Sequence, residues 1–344
     1  MKSLVLVDYG RFELRDAPLP PIGPRDVLVR VKACGICGSD VHGMDGSTGR
    51  RRPPVIMGHE AAGVIAATGA EVTGWKAGDR VTFDSTVYCG ECGWCREGRV
   101  NLCDNRRVLG VSCDEYRRDG AFAEYVAVPQ HILYRLPDNL RFEQAAMAEP
   151  LSVAVHAMRR ASLLPGAAAL VVGSGMIGLL IVQVLHAAGC ERVLAADIDL
   201  ARLDLARKLG AHHIVDARDT ASALAAIMNH TGGRGVDSAF EAVGIAPAIA
   251  LAVKSLRKGG SLVMVGNVSP RVDVPLQDVV ARELTLCGSC ASAGEYPDCL
   301  DMIARGAVNV DPLISAIVPL EQGPTWFARL YNKEPGLMKV ILTP

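Results

Sequence analysis

The residues best suited to chemistry lie between Cys37 and Glu60. Cys37 opens the run Cys-Gly-Ser-Asp-Val-His, which contains Ser39 and His42, and His59 and Glu60 follow after a connection rich in Gly, Arg and Pro. Thiolate, imidazole and carboxylate groups are ligands that suit Zn²⁺, and three protein ligands leave its fourth position open. Because a metal with an open position acts as a Lewis acid on a bound oxygen, this stretch predicts a catalytic zinc site.

A second cluster consists of four cysteines in the spacing Cys-x2-Cys-x2-Cys-x7-Cys, at Cys89, Cys92, Cys95 and Cys103. Four thiolates complete a tetrahedral zinc ion and leave no position for a substrate, so the loop predicts a structural zinc. Disulfides are disfavoured because the cysteines are too crowded for good disulfide geometry. An iron–sulfur cluster is the other alternative, since ferredoxins use similar spacings.

Length and charge set the broad class of the protein. The chain has 344 residues, half of them hydrophobic, and a formal net charge of −1. This length exceeds what one core comfortably fills, so we expect two domains. The basic residues are spread along the chain, which argues against nucleic acid or a membrane surface as a partner.

The cysteines and the apolar segments predict a cytosolic location. The apolar start at residues 2–7 is too short for a signal sequence, and the longest apolar stretch, residues 176–188, is shorter than a bilayer span. Eleven cysteines in such a chain indicate metal ligands and buried thiols rather than disulfides. Six are interpreted as small buried hydrophobes: Cys34, Cys113, Cys190, Cys287, Cys290 and Cys299.

The secondary structure predicted around these groups consists of strands in the first part of the chain and of alternating strands and helices in the second. Residues 27–34 predict a strand that delivers Cys37, residues 61–83 predict short strands separated by glycines, and residues 120–126 predict another strand. No helical period of any length occurs before about residue 140. The first domain is therefore predicted as an antiparallel β-barrel or sandwich.

The second half begins with a glycine-rich turn. Residues 168–172 predict a buried strand, which leads directly into Gly173, Gly175 and Gly178 and then a helix to residue 188. The next strand, residues 192–196, ends at Asp197, about 20 residues after the glycines. Strand, turn, helix and acid together predict a dinucleotide site, in which the pyrophosphate lies at the helix N-terminus.

Alternating strands and helices continue beyond this site. Further strands are predicted at residues 213–216, 236–240, 261–266 and 284–288, which completes a doubly wound parallel Rossmann sheet. A helix near residues 297–305 and a strand at residues 338–342 are predicted to return to the first domain. Glu149 precedes a helical segment and is either a helix N-terminal charge or a further zinc ligand, whereas His156 is interpreted as structural.

With these motifs in place, the chain resembles the zinc-dependent medium-chain dehydrogenase/reductase family over essentially its whole length. The resemblance rests on Gly58-His59-Glu60, the four-cysteine loop, the turn from Gly173 to Gly178, and Glu149-Pro150. It is closest to the polyol (sorbitol-type) branch and its threonine 3-dehydrogenase relatives. It implies a GroES-like catalytic domain at residues 1–155 and 290–344, a Rossmann NAD-binding domain at residues 156–289, and an active cleft between them in a homotetramer or homodimer.

The resemblance also implies roles for individual residues. Cys37, His59 and Glu60 would surround the catalytic zinc, with Glu149 exchanging against water. Separately from the resemblance, we expect Asp40 to orient one of these ligands. Ser39 would pass the substrate proton through the cofactor ribose to His42. The positions that touch NAD in relatives are Ile177, Asp197, Arg202, Val265, Gly266 and Asn267.

The substrate side departs from sorbitol dehydrogenases. They carry Tyr where this chain has Gly43, and an Arg-Tyr pair where it has Ala291-Ser292. The predicted reaction is therefore the oxidation of a secondary alcohol of a polyol or sugar-derived substrate to a ketone with NAD, without sorbitol being assigned.

Three alternatives stay open. An L-threonine-type substrate, or a sugar acid or polyol phosphate, would need an anion anchor, and Arg50-Arg51-Arg52 lies between the zinc ligands. A solvated surface is the favoured interpretation of these arginines. A crystallin-like structural protein without activity is the non-enzyme alternative, which the complete ligand and relay residues disfavour.

The two metal motifs predict about two zinc ions per chain, one per site. Replacing Cys92 with Ser should lower the solubility or the melting temperature, because the structural site would lose a ligand. Replacing Cys37 with Ser should abolish turnover while leaving the fold intact. Elemental analysis of fully metallated protein tests the count, and a single zinc per chain would contradict the two-site prediction.

Overall fold

The first part of the chain is built from strands with a few short helices. The computed structural model describes residues 1–161, 163 and 166–344. The early strands are β1 (Lys2–Asp8), β2 (Arg11–Asp16), β3 (Asp26–Gly35), β4 (Val55–Ile56), β5 (Glu60–Thr68), β6 (Arg80–Phe83), β7 (Thr86–Val87), β8 (Arg107–Val108), β9 (Val111–Ser112), β10 (Arg117–Arg118), β11 (Tyr125–Pro129) and β12 (Leu133–Arg135). The helices among them are α1 (Gly38–Gly43), α2 (Gly93–Arg96) and α3 (Phe142–Ala146), with 3₁₀ turns at Val100–Leu102 and Gln130–Ile132.

Strands and helices alternate in the rest of the chain. After α4 (Ala148–Arg160) come β13 (Ala168–Val172), α5 (Met176–Ala187), β14 (Arg192–Asp197), α6 (Leu200–Lys208), β15 (His213–Asp216), α7 (Thr220–His230), β16 (Val236–Glu241), α8 (Ala246–Ser255), β17 (Leu256–Met264), α9 (Leu276–Ala281) and β18 (Thr285–Gly288). The chain ends with α10 (Tyr296–Ala304), β19 (Ile314–Pro319), α11 (Gly323–Tyr331) and β20 (Lys339–Thr343), with 3₁₀ turns at Asp311–Leu313 and Leu320–Gln322.

These elements form two units. The first contains Met1–Glu149, Tyr296–Ala304 and Val310–Pro344, and the second contains Pro150–Glu295 and Arg305–Asn309. The short return of residues 305–309 to the second unit has no counterpart in the sequence prediction. Across the described part of the chain, no helix is both long and apolar enough to cross a bilayer.

The core of the first unit is a seven-stranded sheet in the order β12-β6-β5-β3-β20-β19, with β11 also paired to β3. Apart from β19 and β20, which run parallel, its neighbouring strands are antiparallel. Aromatic rings fill its interior, and Phe83, Phe122 and Phe327 are almost completely buried. The carboxyl-terminal strand thus joins the amino-terminal sheet, as the sequence predicted.

The register of this sheet brings distant residues to one place. In the antiparallel pair of β3 and β5, Gly35 lies opposite Glu60, and in the pair of β20 and β3, Gly35 lies opposite Ile341. A Cβ atom on Gly35 would lie 2.2 Å from Glu60 Oε2, so a larger residue at this crossing would displace the Glu60 carboxylate. The register therefore sets Cys37 beside His59 and Glu60, and brings Lys339 to Glu60.

The second unit contains a six-stranded parallel sheet in the order β15-β14-β13-β16-β17-β18. This is the Rossmann strand order. The strands β13, β14 and β15 follow one another toward one edge of the sheet, and β16, β17 and β18 follow one another toward the other edge. Dinucleotides bind at the switch point between β13 and β16. The central strand β13 is buried along its whole length, which explains its continuous apolar sequence.

Two predicted strands have different limits in the structure. The strand predicted at residues 261–266 is β17, which spans Leu256–Met264, because Leu256 already pairs with Val236 of β16 and the pairing resumes at Ser261 after a register shift. The strand predicted at residues 120–126 is β11, which begins at Tyr125. Residues 120–122 instead donate backbone hydrogen bonds to the carbonyls of Ile56, Gly58 and Met57.

Gly178 in the dinucleotide turn generates a stability prediction. A Cβ atom there would lie 1.7 Å from the carbonyl oxygen of Gly173, a backbone atom that cannot move away cheaply, whereas Gly175 has open space around it. Replacing Gly178 with Ala should therefore destabilise the protein by about 3 kcal/mol, although alanine normally favours a helix. Urea unfolding should show this loss, and the matched Gly175→Ala variant should unfold nearly like the wild type.

Candidate active site

The structure brings the three predicted ligands of the catalytic zinc together. One ligand atom each of Cys37, His59 and Glu60 lies within 4.8 Å of the others. His59 and Glu60 are buried, and Cys37 is partly buried at the start of α1. A thiol, an imidazole and a carboxylate that converge in this way fit Zn²⁺ by their chemistry.

Lys339 is a member of this group that sequence reasoning missed. Its ammonium Nζ lies 2.8 and 2.5 Å from the two carboxylate oxygens of Glu60, and it also donates to the carbonyl of Ile36 at 3.0 Å. Both side chains of the ion pair are at most 3% exposed. Burial alone would lower the pKa of Lys339, but Glu60 and Cys37 raise it above its ordinary value. The signal in the sequence was the charged Lys339 at the start of β20, an otherwise largely apolar strand.

Asp40 lies beside His59, the position expected of a residue that orients a metal ligand. The carboxylate is fully buried, and its Oδ2 lies 3.4 Å from His59 Nδ1. Burial would raise the pKa of Asp40, but His59 and Arg51 outweigh it and hold that pKa at about 2. Burial likewise opposes the protonation of His59, yet Asp40 and Cys37 raise the pKa of the imidazole well above its usual value.

The three consecutive arginines do not share one environment. Arg50 and Arg52 are exposed, and Arg52 pairs with Asp114. Arg51 is only 4% exposed and forms an ion pair with Asp40 at 2.9 Å. The solvated-surface interpretation is therefore wrong for Arg51, because the loop turns this one side chain inward to a buried carboxylate.

The predicted relay residues Ser39 and His42 both lie on α1 and are exposed. Their separation of three positions places them on one side of this short helix. Ser39 Oγ accepts a hydrogen bond from Arg51 Nη2 at 3.3 Å. The relay assignment itself stays a prediction.

Glu149 is not part of the converging group. It occupies the first turn of α4, where a carboxylate is favoured by the helix dipole. Ser85 Oγ donates to its Oε1 at 3.2 Å. Loss of solvent raises its pKa to about 7, with His59 acting in the opposite direction. A helix N-terminal charge and a zinc ligand are both compatible with this position, so the role of Glu149 as a zinc ligand stays a prediction.

The four-cysteine loop also folds as its spacing predicted. One sulfur each of Cys89, Cys92, Cys95 and Cys103 lies within 4.8 Å of the others, and all four are free thiols. Backbone N–H groups of Glu91 and Cys92 lower the pKa of Cys89 to about 6. Thiols that converge with N–H donors aimed at them fit a structural zinc.

The glycine-rich turn after β13 leaves room for a ligand to approach the protein backbone closely. Gly173 has a φ of 95°, which favours glycine, and Gly175 has open space at its Cβ position. Ser174 N donates to Asp197 Oδ2 at 2.5 Å, and the buried Ser174 Oγ has no hydrogen-bond partner. The turn and the N-terminus of α5 thus fit a pyrophosphate group. Ile177 lies one residue before Gly178 in the first turn of α5.

Asp197 and Arg202, the two residues predicted to choose the cofactor, have different partners. Asp197 is 8% exposed, and its Oδ1 also accepts from Asp199 N at 2.9 Å. Arg202 is half-exposed, and its Nε lies 3.6 Å from Asp199 Oδ2. The guanidinium therefore has a carboxylate neighbour of its own.

The predicted contacts Val265, Gly266 and Asn267 follow the carboxyl end of β17. The backbone N–H groups of Val265 and Gly266 donate to the carbonyl of Glu241 at 2.8 and 2.9 Å. A Cβ on Gly266 would lie 2.2 Å from Gly244 N, so the two loops that follow β16 and β17 touch through their backbones. Sequence reasoning did not select the loop after β16, although its Glu-Ala-Val-Gly sequence follows a predicted strand.

His156 has the structural surroundings that the sequence suggested. Its Nδ1 lies 2.8 Å from Glu295 Oε1, within the second unit. Nearby, Ala291 adopts a positive φ of 50°, and Ser292 is buried. The segment that departs from sorbitol dehydrogenases therefore has a constrained backbone.

Comparison with known proteins places this geometry in context. Residues 23–138 match the family model of the alcohol dehydrogenase GroES-like domain, and residues 177–305 match that of the zinc-binding dehydrogenase. The chain is 36% identical to sorbitol dehydrogenase from Bacillus subtilis, covering 100% of this chain and 97% of that protein. It is 38% identical to L-idonate 5-dehydrogenase from Vitis vinifera, covering 86% of this chain and 82% of that protein.

A solved structure from Sinorhizobium meliloti 1021 with bound NADP shows the same fold. It has a TM-score of 0.89 and 32% sequence identity, and the match covers 100% of this chain and 99% of that one. These matches confirm the resemblance and the fold class inferred from the sequence motifs.

The Lys339–Glu60 pair generates a prediction about stability. In zinc-free protein, Lys339→Met should cost about 3–5 kcal/mol of unfolding free energy, because it leaves a buried carboxylate without its partner. Chemical denaturation measures this cost. Lys2→Met is the matched control, since Lys2 forms an exposed ion pair with Glu321 and should change stability little. Equal stability of the two variants would contradict the structural role of Lys339.

Proposed function

Because this chain belongs to the zinc-binding medium-chain alcohol dehydrogenase family, we propose that it oxidises a secondary alcohol of a polyol or sugar-derived substrate to a ketone, with NAD as the hydride acceptor. The observation that carries the proposal is the convergence of Cys37, His59 and Glu60 beside Ser39. A bound zinc supplies Lewis acidity toward a substrate hydroxyl, and a bound nicotinamide supplies the hydride acceptor.

The residues of the chain would divide the work around these groups. Cys37 and His59 would hold the metal, and Glu60 or Glu149 would complete its protein ligands. Ser39 would accept the substrate proton and pass it toward His42, whose imidazole is exposed on α1 and can hand a proton to water. Cys89, Cys92, Cys95 and Cys103 would hold a second zinc without a role in turnover.

A neutral polyol suits the surroundings of the metal site better than an anion. An anionic substrate would need a free cation, and the charge of Arg51 is already matched by Asp40. Arg52 is paired with Asp114, whereas Arg50 Nη2 lies 3.4 Å from the neutral hydroxyl of Tyr116, so Arg50 keeps the least compensated charge of the three arginines. A triple substitution of the cluster would disturb the buried pair, so Arg50 and Arg52 alone should be changed when an anion anchor is tested.

A screen of NAD⁺ reduction separates the candidate substrates. The panel contains neutral polyols, sugar acids, polyol phosphates and L-threonine, and zinc-loaded protein is compared with its Cys37→Ser variant. The proposal predicts the highest kcat/KM for a neutral polyol. A sugar acid as the best substrate would favour the activity named for the Vitis vinifera relative. No turnover with any alcohol would favour the non-enzyme alternative.

The assembly and location are also proposals. We propose the domain limits 1–155 with 290–344 and 156–289, a cytosolic location, and a homotetramer or homodimer. Eleven cysteines that form no disulfide among the described residues suit a reducing compartment. Leu276 and Val280 on α9 are exposed apolar side chains, and β18 is an edge strand. Both features suit burial in an oligomer interface. Light scattering of the purified chain gives the mass, and a monomer would rule out the oligomer.

The cofactor preference follows from Asp197. Its carboxylate can accept hydrogen bonds from the adenosine ribose hydroxyls, whereas a 2′-phosphate would meet a like charge. Arg202 could hold that phosphate, but its guanidinium already has Asp199 beside it. We expect NAD to be preferred over NADP by at least about a hundredfold in kcat/KM, or roughly 2.7 kcal/mol.

Steady-state kinetics with both cofactors tests this preference. Asp197→Ser should erase much of the difference, chiefly by admitting NADP, while Asp204→Ser, an exposed acid on α6, serves as the control. Equal wild-type turnover with the two cofactors would show that Arg202 governs the site.

A further inference from the structure

Arg51 places a buried guanidinium directly behind the metal ligands. Its Nε and Nη2 both donate to Asp40 Oδ1, at 3.0 and 2.9 Å. Nη2 also donates to Ser39 Oγ at 3.3 Å, and Nη1 donates to the carbonyl of Arg50 at 3.1 Å. One planar cation thus holds two consecutive residues of α1. The other oxygen of the same carboxylate faces His59.

The backbone around Arg51 directs this side chain inward. Ser112 N donates to the carbonyl of Arg50 at 3.2 Å, and Arg52 N donates to the carbonyl of Ser112 at 3.0 Å. These bonds form a parallel bridge between Arg51 and Ser112. Because both flanking peptide groups are tied to β9, the guanidinium cannot leave Asp40 by a simple movement of the loop.

Gly43 supplies the space through which the Arg51 side chain passes. A Cβ atom on Gly43 would lie 2.5 Å from Arg51 Cγ and 3.4 Å from Arg51 Cβ. The Cγ atom is near the backbone rather than at the flexible end of the side chain, so it cannot yield without moving the guanidinium. The absence of a side chain at Gly43 is therefore coupled to the inward position of Arg51.

We propose that Arg51 is a positioning residue that couples the metal site to the proton relay, with Gly43 as its steric partner. Through Asp40 it fixes the ring of His59 for the metal. Through Ser39 it occupies a lone pair of Oγ, so that the hydroxyl proton points elsewhere and negative charge on Oγ is stabilised during proton transfer. The relay part of this role rests on the proposed function, whereas the metal part does not.

These contacts require the planar shape of the arginine side chain, and a positive charge alone does not provide them. Two of its nitrogens reach one carboxylate oxygen while one of them also reaches the serine, which a rigid planar fork permits. A lysine ammonium is a point charge on a flexible stem and would not hold Ser39 and Asp40 at the same time in this orientation. Arg51→Lys therefore keeps the buried charge and removes the geometry.

Zinc affinity is the readout that separates this role from a purely structural one. Zinc-free protein is titrated with Zn²⁺ in competition with a fluorescent chelator, and Cys37→Ser identifies the step that belongs to the catalytic site. Arg51→Lys should weaken that step about 10–100-fold, the usual effect of losing a partner of a ligand. Arg52→Lys, the same change at the adjacent exposed arginine, should leave it unchanged.

A second variant keeps the test decisive if Arg51→Lys does not fold. Gly43→Ala leaves every polar group in place but displaces Arg51, and it should weaken the same zinc step. With an identified alcohol substrate, both variants should lower kcat while KM stays close to the wild-type value. Wild-type zinc affinity in the folded variants, with or without a lower melting temperature, would overturn the proposal. Absence of any alcohol substrate would contradict the proposed function and leave the zinc measurement as a valid test of Arg51.

Discussion

The pairing of buried charges around Cys37, His59 and Glu60 is the constraint on which the first unit depends. A charge withdrawn from water costs several kcal/mol unless an opposite charge and hydrogen bonds compensate it. Asp40 is compensated by Arg51, and Glu60 is compensated by Lys339. Each pair joins segments that are far apart in the chain, so the site forms only when the sheet register and the loop before β4 are both correct.

This pairing also decides which ligands are free for a metal. Lys339 contacts both carboxylate oxygens of Glu60, so a metal and a lysine compete for the same group. Asp40 Oδ2 lies 3.4 Å from His59 Nδ1, on the imidazole rather than on the carboxylate of the cluster. In the proposed metal site Cys37 and His59 would be the primary ligands, and the availability of Glu60 would depend on Lys339.

The second unit relies on backbone contact instead of charge. Gly178 packs on the carbonyl of Gly173, and Gly266 packs on the backbone of Gly244. These contacts keep the loops after β13, β16 and β17 close at the carboxyl edge of the sheet, where the strand order reverses. Substitutions of these glycines act through steric overlap, whereas substitution of Lys339 in the first unit acts through uncompensated charge.

The sequence by itself indicated both clusters of candidate metal ligands, the dinucleotide turn and the alternation of strands and helices. These features rest on local spacing, and a spacing such as that of the four cysteines has few geometric solutions. Tertiary structure alone decided the roles of Arg51 and Lys339. An arginine between two other arginines has the pattern of a solvated loop, and the inward turn of Arg51 depends on its bridge to Ser112 and the space at Gly43. Lys339 meets Glu60 only because β20 pairs with β3 across almost the whole length of the chain, and no local pattern specifies that register.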